Sequence, residues 1–269
     1  MSVFLFAVTL RMVLGVVAAW IILRGMKQSL PMHTRALRTY LVSGLGIYFS
    51  MCCVYWATQF LPSGWVSVIF GLSPIITGIL AVTILDENTL SPYKLFGMVV
   101  GVIGLTLVFG NGLEFGHEFV LGITAVLMGT LIHSLSAVLI KQIKAQVSAV
   151  AVTTGGLAIA TPMFVVTWLI IDGDMPPTIS PRALIAIIYL GVFASTVGFA
   201  MYYYILIHMD VSRVALITLI TPICALALGN VLNNEPLTAG VMTGTGLIVT
   251  GLFIYEYGRK IHRITFKPG

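Results

Sequence analysis

Charge is scarce in this chain: 9% of its 269 residues are Asp, Glu, Lys or Arg, where a water-soluble domain carries about a quarter. With 58% apolar residues, the shortage excludes an ordinary soluble globule. Acidic side chains are scarcer still. None of the nine Asp and Glu lies well inside an apolar run, which removes the carboxylates a membrane-embedded hydrolase would use as acid and base. His133 is the one histidine well inside a run, so no metal and no other cofactor is expected. The three cysteines, Cys52, Cys53 and Cys224, fall in apolar runs; sequence neighbours rarely bridge, and all three read as small free thiols. Period-two alternation is missing too, which excludes barrel strands. No polar stretch suits a separate soluble domain, and no basic region precedes the first apolar run as a cleaved signal would require.

What the chain has instead is continuous apolar runs, at 3–23, 39–60, 64–85, 93–110, 119–140, 150–171, 183–207, 212–232 and 238–257. Each is long enough to cross about 30 Å of hydrocarbon as a helix. The predicted fold class is therefore all-α: a polytopic membrane protein of nine transmembrane helices, with the lipid bilayer as its first partner. Net charge is +5, and its distribution explains it. If the loop 24–38 is cytoplasmic, strict alternation puts every Lys and Arg except Arg11 and Arg182 on the cytoplasmic side, as the positive-inside bias requires. That pattern places the C-terminus in the cytoplasm and makes nucleic acid a poor partner.

The chain also echoes itself. At one constant offset Tyr55 pairs with Tyr203, Val66 with Val214, Pro74 with Pro222 and Glu87 with Glu235; after a one-residue deletion Gly97 pairs with Gly244 and Gly104 with Gly251. Alternation puts the Glu87 loop inside and the Glu235 loop outside, so the two repeats are predicted to be inverted. The second half supplies five spans and the first half four. Repeat boundaries follow at 1–112 and 119–258, with 259–269 as a basic cytoplasmic tail.

With these residues in hand, the chain resembles the EamA branch of the drug/metabolite transporter superfamily over nearly its whole length. The likeness rests on Thr9-Leu10-Arg11 early in a span, on the Ser73-Pro74 and Thr221-Pro222 helices ending at Asp86-Glu87 and Asn234-Glu235, and on the glycine-spaced helices that follow (Gly97, Gly101, Gly104; Gly240, Gly244, Gly251). The resemblance implies ten helices in two inverted five-helix repeats, around a cavity that the first helix helps to line. By that comparison the opening span here corresponds to the family's second helix, so the first helix is missing and Met1 would lie outside.

Arg11 lies roughly 12 Å into its span at the helical rise, where a cation costs about 2.5–3.5 kcal/mol to insert. It either attracts a carboxylate or phosphate of the solute or bonds polar groups of a neighbouring helix. Tyr48, Tyr55 and Gln59 recur on the second span and Ser195, Phe199, Tyr202 and Tyr203 on the seventh; by resemblance these helices flank the cavity. Ser73, Thr221 and Asn230 are further polar candidates for a solute path. His133 suits proton coupling, although a lone histidine is more often a hydrogen-bonded packing residue. Pro74 and Pro222 are hinge candidates expected to interrupt their helices near mid-membrane. Glu87 and Glu235 read as caps for the helices after them. The Gly97/Gly101 and Gly240/Gly244 spacings serve packing within the chain or, alternatively, a homodimer seam.

The function expected is secondary transport of a small-molecule solute, an amino acid or related amphiphile, by efflux across a bacterial plasma membrane with alternating access; no enzyme is expected. The alternatives are a truncated non-transporting membrane protein and, with less support, an intramembrane enzyme or a channel.

Overall fold

In a computed structural model the chain is helical. The described residues are 2–61, 66, 69–86, 91–109, 117–174, 179–215, 217 and 239–265, and no strand occurs among them. The helices are α1 (Ser2–Gly25), α2 (Thr34–Ala57), α3 (Ser73–Leu85), α4 (Pro92–Phe109), α5 (His117–Ile143) and α6 (Ala149–Ile171). A continuous rod follows, made of α7 (Pro181–Tyr189), a π-helical segment π1 (Leu190–Gly198) and α8 (Phe199–His208); α9 (Val211–Ala215) and α10 (Ala239–Thr265) complete the order. Among the described residues, Leu5–Gly25, Thr34–Ala57, Glu118–Ile143, Ala149–Ile171 and Ala183–His208 are long and apolar enough to cross a membrane. Shorter apolar helices cover Ser73–Leu85, Pro92–Leu107 and Met242–Tyr255, and most of the run 212–232 lies outside the described residues.

Large apolar side chains point outward in quantity: Ile170 is 79% exposed and Ile185 68%. In water such a surface would drive aggregation; in lipid it is the contact surface. The helix starts are set locally. Ser148 and Ser180 accept hydrogen bonds from the Ala151 and Ala183 amides at the heads of α6 and α7, and Pro181 takes the first-turn position where a missing N–H costs nothing. Ser91-Pro92 repeats the device at α4, with Ser91 accepting from the Lys94 amide.

The chain forms two compact units, Met1–Phe49 with Leu139–Met209 and Ser50–Val138 with Asp210–Gly269, so the division falls inside α2 and inside α5. In the first unit α6 is the hub, buried from Ala151 through Leu157 and again at Ala160, Thr161 and Phe164. It runs antiparallel to α1. Thr9 donates to the Phe164 carbonyl at 3.3 Å, Thr161 to Met12 at 3.2 Å and Thr154 to Ala19 at 3.3 Å, so residues late in one helix meet residues early in the other. Small side chains let α2 join them: a Cβ on Gly44 would come 2.8 Å from the Gly156 carbonyl oxygen, and one on Gly155 would enter the Tyr40 ring.

In the second unit α4 and α10 form a glycine seam. A Cβ on Gly97 would lie 2.5 Å from the Gly251 carbonyl oxygen, and one on Gly104 would lie 2.6 Å from that of Gly244. The helices are therefore antiparallel and their backbones nearly touch, which is what glycine permits. The glycine spacing read in the sequence is used here within the chain. A separate core gathers Ala57, Leu61, Ile69, Phe119, Ala125 and Val126.

Candidate solute site

Arg11 sits in the first unit, half-buried on α1, where its Nε donates to the buried Ser195 hydroxyl of π1 at 2.8 Å. The two elements approach closely enough for that contact because glycines face each other. A Cβ on Gly15 would fall 3.0 Å from Ser195 Cβ, and one on Gly191 would fall 3.0 Å from the Arg11 carbonyl oxygen. A π-helix is wider than an α-helix and detunes its own carbonyl ladder. Thr196 compensates, its hydroxyl lying 2.9 Å from the Gly15 carbonyl of α1 and 3.2 Å from the Gly191 carbonyl of its own helix.

The rod's next turns carry the aromatic residues singled out in the sequence. Tyr203 is buried and its hydroxyl meets Ser43 of α2 at 2.7 Å; its ring centroid is 5.3 Å from that of Tyr202 and 6.4 Å from that of Phe199. Tyr48 pairs its hydroxyl with Thr167 of α6 and packs edge-on against Phe164. The structure thus gathers Arg11, Ser195, Tyr203 and Tyr48 in one unit, with hydroxyl contacts from Arg11 to Ser195, from Tyr203 to Ser43 and from Tyr48 to Thr167. Ser43, Thr167 and Thr196 were missed in the sequence. A signal existed for Ser43, which with Thr39 forms a pair of buried polar residues at i, i+4 on α2.

The other candidates belong to the second unit. Ser73 is buried with its hydroxyl 3.5 Å from that of Ser134, and the neighbouring His133 packs its ring 5.6 Å from Phe70. Tyr55 is half-buried and Gln59 exposed in the turns that end α2. Pro74 opens α3 instead of interrupting the middle of a helix: its ring occupies the first turn, and the Ile75 and Ile76 amides turn back to the Leu72 carbonyl. A proline is tolerated there because first-turn amides have no helical partner. Thr221, Pro222 and Asn230 lie outside the described residues, as do Glu87 and Glu235. No group of three or more His, Cys, Asp or Glu able to hold a metal occurs among the described residues.

The model of the EamA-like transporter family matches residues 2–110 and 120–257. The chain belongs to this family. Among EamA relatives, an uncharacterized transporter of Bacillus subtilis, YoaV, is 23% identical over 251 residues, 92% of this chain and 85% of that protein. A probable amino-acid metabolite efflux pump of Escherichia coli is 27% identical over 228 residues, 81% of this chain and 76% of that one. A solved crystal structure superposes with a TM-score of 0.80 at 17% identity, covering 94% of this chain and 88% of the other, and so shares the fold. The EamA assignment and the apolar helices together make the chain a multi-pass membrane protein, and the names of its relatives indicate a transporter of small molecules.

Proposed function

We propose that the protein exports amino acids or related small amphiphiles across the bacterial inner membrane as a secondary carrier, with Arg11 receiving the solute's carboxylate. The observation that carries this reading is the pairing of a half-buried intramembrane arginine with the hydroxyl of Ser195. A neutral hydroxyl orients a guanidinium without cancelling its charge, whereas a carboxylate forms the stronger charge-assisted bond. No acidic residue of the chain lies well inside an apolar run, and the relative named an amino-acid metabolite efflux pump favours a solute that carries a carboxylate. The efflux direction is favoured by the name of the Escherichia coli relative, a probable amino-acid metabolite efflux pump. Tyr48, Tyr55, Gln59, Ser73, Tyr203, Thr221 and Asn230 belong to the solute path in this reading, and His133 is a packing residue beside Phe70.

Alternating access between inverted repeats is part of the proposal, and two features support it. By the sequence echo α1 corresponds to α6 and α4 to α10, and both pairs of corresponding helices run antiparallel. In parallel repeats, corresponding helices would point the same way; antiparallel equivalents fit an axis in the membrane plane. On the same reading the C-terminus is cytoplasmic.

The test is counterflow in proteoliposomes loaded with unlabelled amino acids and diluted into trace labelled solute. Transient accumulation of label is expected for the wild type and loss of most of it for Arg11→Gln. A correctly folded wild type that shows no counterflow with any zwitterionic or anionic solute overturns the carrier reading, and Arg11→Gln at wild-type rates overturns the role given to the arginine.

A further inference from the structure

The end of α1 and the loop after it line an open groove of about 660 Å³, within the range that holds small ligands. Its lining divides by chemistry. Trp20, Leu23 and Leu30 supply an apolar wall; Arg24 and Lys27 supply two cations, and no Asp or Glu takes part. Arg24 lies over the Trp20 ring at 5.2 Å from the centroid. Among the described residues neither cation forms an ion pair, and α2, which follows the loop, opens with Arg35 and Arg38.

The groove is built, not a gap between mobile side chains. Helix α1 ends in two reverse hydrogen bonds, Gln28 N–H to the Leu23 carbonyl at 3.1 Å and Lys27 N–H to the Arg24 carbonyl at 2.9 Å. This is the Schellman closure, whose left-handed position normally holds glycine. Here Lys27 holds it, at φ 52°, whereas Gly173 takes the left-handed backbone just after α6. The next residue is fixed as well: Ser148, the cap of α6, donates to Gln28 Oε1 at 2.7 Å. A cation is thus held on strained backbone in a turn tied to the next helix, at the wall of an apolar pocket.

We propose that this groove binds the headgroup of an anionic phospholipid. Its phosphate lies between Arg24 and Lys27, and an acyl chain follows Trp20 and Leu30. Charge complementarity selects a phosphate anion, and the apolar wall selects one attached to hydrocarbon over a soluble phosphate. The position at the end of an apolar span, in a basic loop, puts the site at headgroup level, where each Lys or Arg adds an attraction to anionic lipid worth about fivefold in affinity. The site lies apart from Arg11 and Ser195, so lipid binding and solute transport fail independently.

Native mass spectrometry of the purified full-length protein in neutral detergent tests the proposal, with phosphatidylglycerol and phosphatidylcholine titrated separately. Phosphatidylglycerol is expected to bind at least fivefold more tightly. Lys27→Gly should lower that affinity about fivefold, and Arg24→Gln with Lys27→Gly about 25-fold. Lys27→Gly also relieves the left-handed strain, so its thermal stability without lipid should not fall, which separates lost binding from misfolding. Equal binding of the two lipids, or unchanged affinity in the double variant, overturns the proposal. Displacement of phosphatidylglycerol by millimolar inorganic phosphate overturns it in favour of a soluble anion site.

Discussion

Arg11 is a costly residue to place in an apolar span, and its contact with Ser195 meets part of that cost. Insertion of a central arginine is unfavourable by about 2.5–3.5 kcal/mol, while a hydrogen bond involving a charged group returns about 1.5–3 kcal/mol. The Ser195 contact at 2.8 Å therefore offsets much of the penalty and also restricts the orientation of the guanidinium. If orientation is its purpose, Ser195→Ala should raise the KM for an anionic or zwitterionic solute about tenfold, the equivalent of one ordinary hydrogen bond, with expression unchanged. Arg11→Gln should be worse. Because Ser195 acts through the arginine, the double variant should transport no worse than Arg11→Gln alone, the non-additivity expected of contacting residues. Additive losses, measured as initial uptake into proteoliposomes, would show that Ser195 serves transport by another route.

Helix packing in this protein depends on the removal of side chains as much as on their presence. The α4/α10 seam puts the carbonyl oxygens of Gly251 and Gly244 where Cβ atoms on Gly97 and Gly104 would be. Gly97→Ala and Gly251→Ala must then part the two backbones, an overpacking cost of about 1–3 kcal/mol each. Gly246 on the same helix has nothing within 4 Å of its would-be Cβ; Gly246→Ala should be neutral or stabilising by helix propensity. Monomer remaining after heating in detergent, read by size exclusion, should fall for the first two and hold for the third. Equal behaviour of all three would place the seam's stability elsewhere. The glycine spacing announced this seam in the sequence, and hydropathy announced the five long apolar helices among the described residues but not a count of nine. Partners across helices were less legible. That Tyr203 meets Ser43 and Tyr48 meets Thr167 depends on rotation and register, which an evenly apolar helix does not encode. The π segment opposite Arg11 adds one residue to a turn within an unbroken apolar run, and no residue type marks it. Pro162 lies inside α6 without ending it, whereas Pro74 starts a helix, so proline alone did not tell a break from a bend.

The two units do not coincide with the two sequence repeats. Each unit includes a helix from the first half and its counterpart from the second, α1 with α6 in one and α4 with α10 in the other, and the division falls inside α2 and near the end of α5. Repeats that folded as independent bundles would keep their own helices together. Units shared between the two halves fit the proposed alternating access, in which a change in one half must be felt by its counterpart. The reading depends on the repeats being inverted, and sidedness decides that. With Cys52, Cys53 and Cys224 replaced, Asp86→Cys and Asn234→Cys sit at positions equivalent by the sequence echo. A membrane-impermeant maleimide applied to intact cells should label the second and spare the first until the cells are permeabilised; Lys144→Cys should behave like the first and Asp174→Cys like the second. Labelling of Asp86→Cys and Asn234→Cys from the same side would mean that the repeats are parallel. The antiparallel contacts of α1 with α6 and of α4 with α10 would then be a feature of packing, and alternating access by exchange of equivalent halves would lose its structural basis.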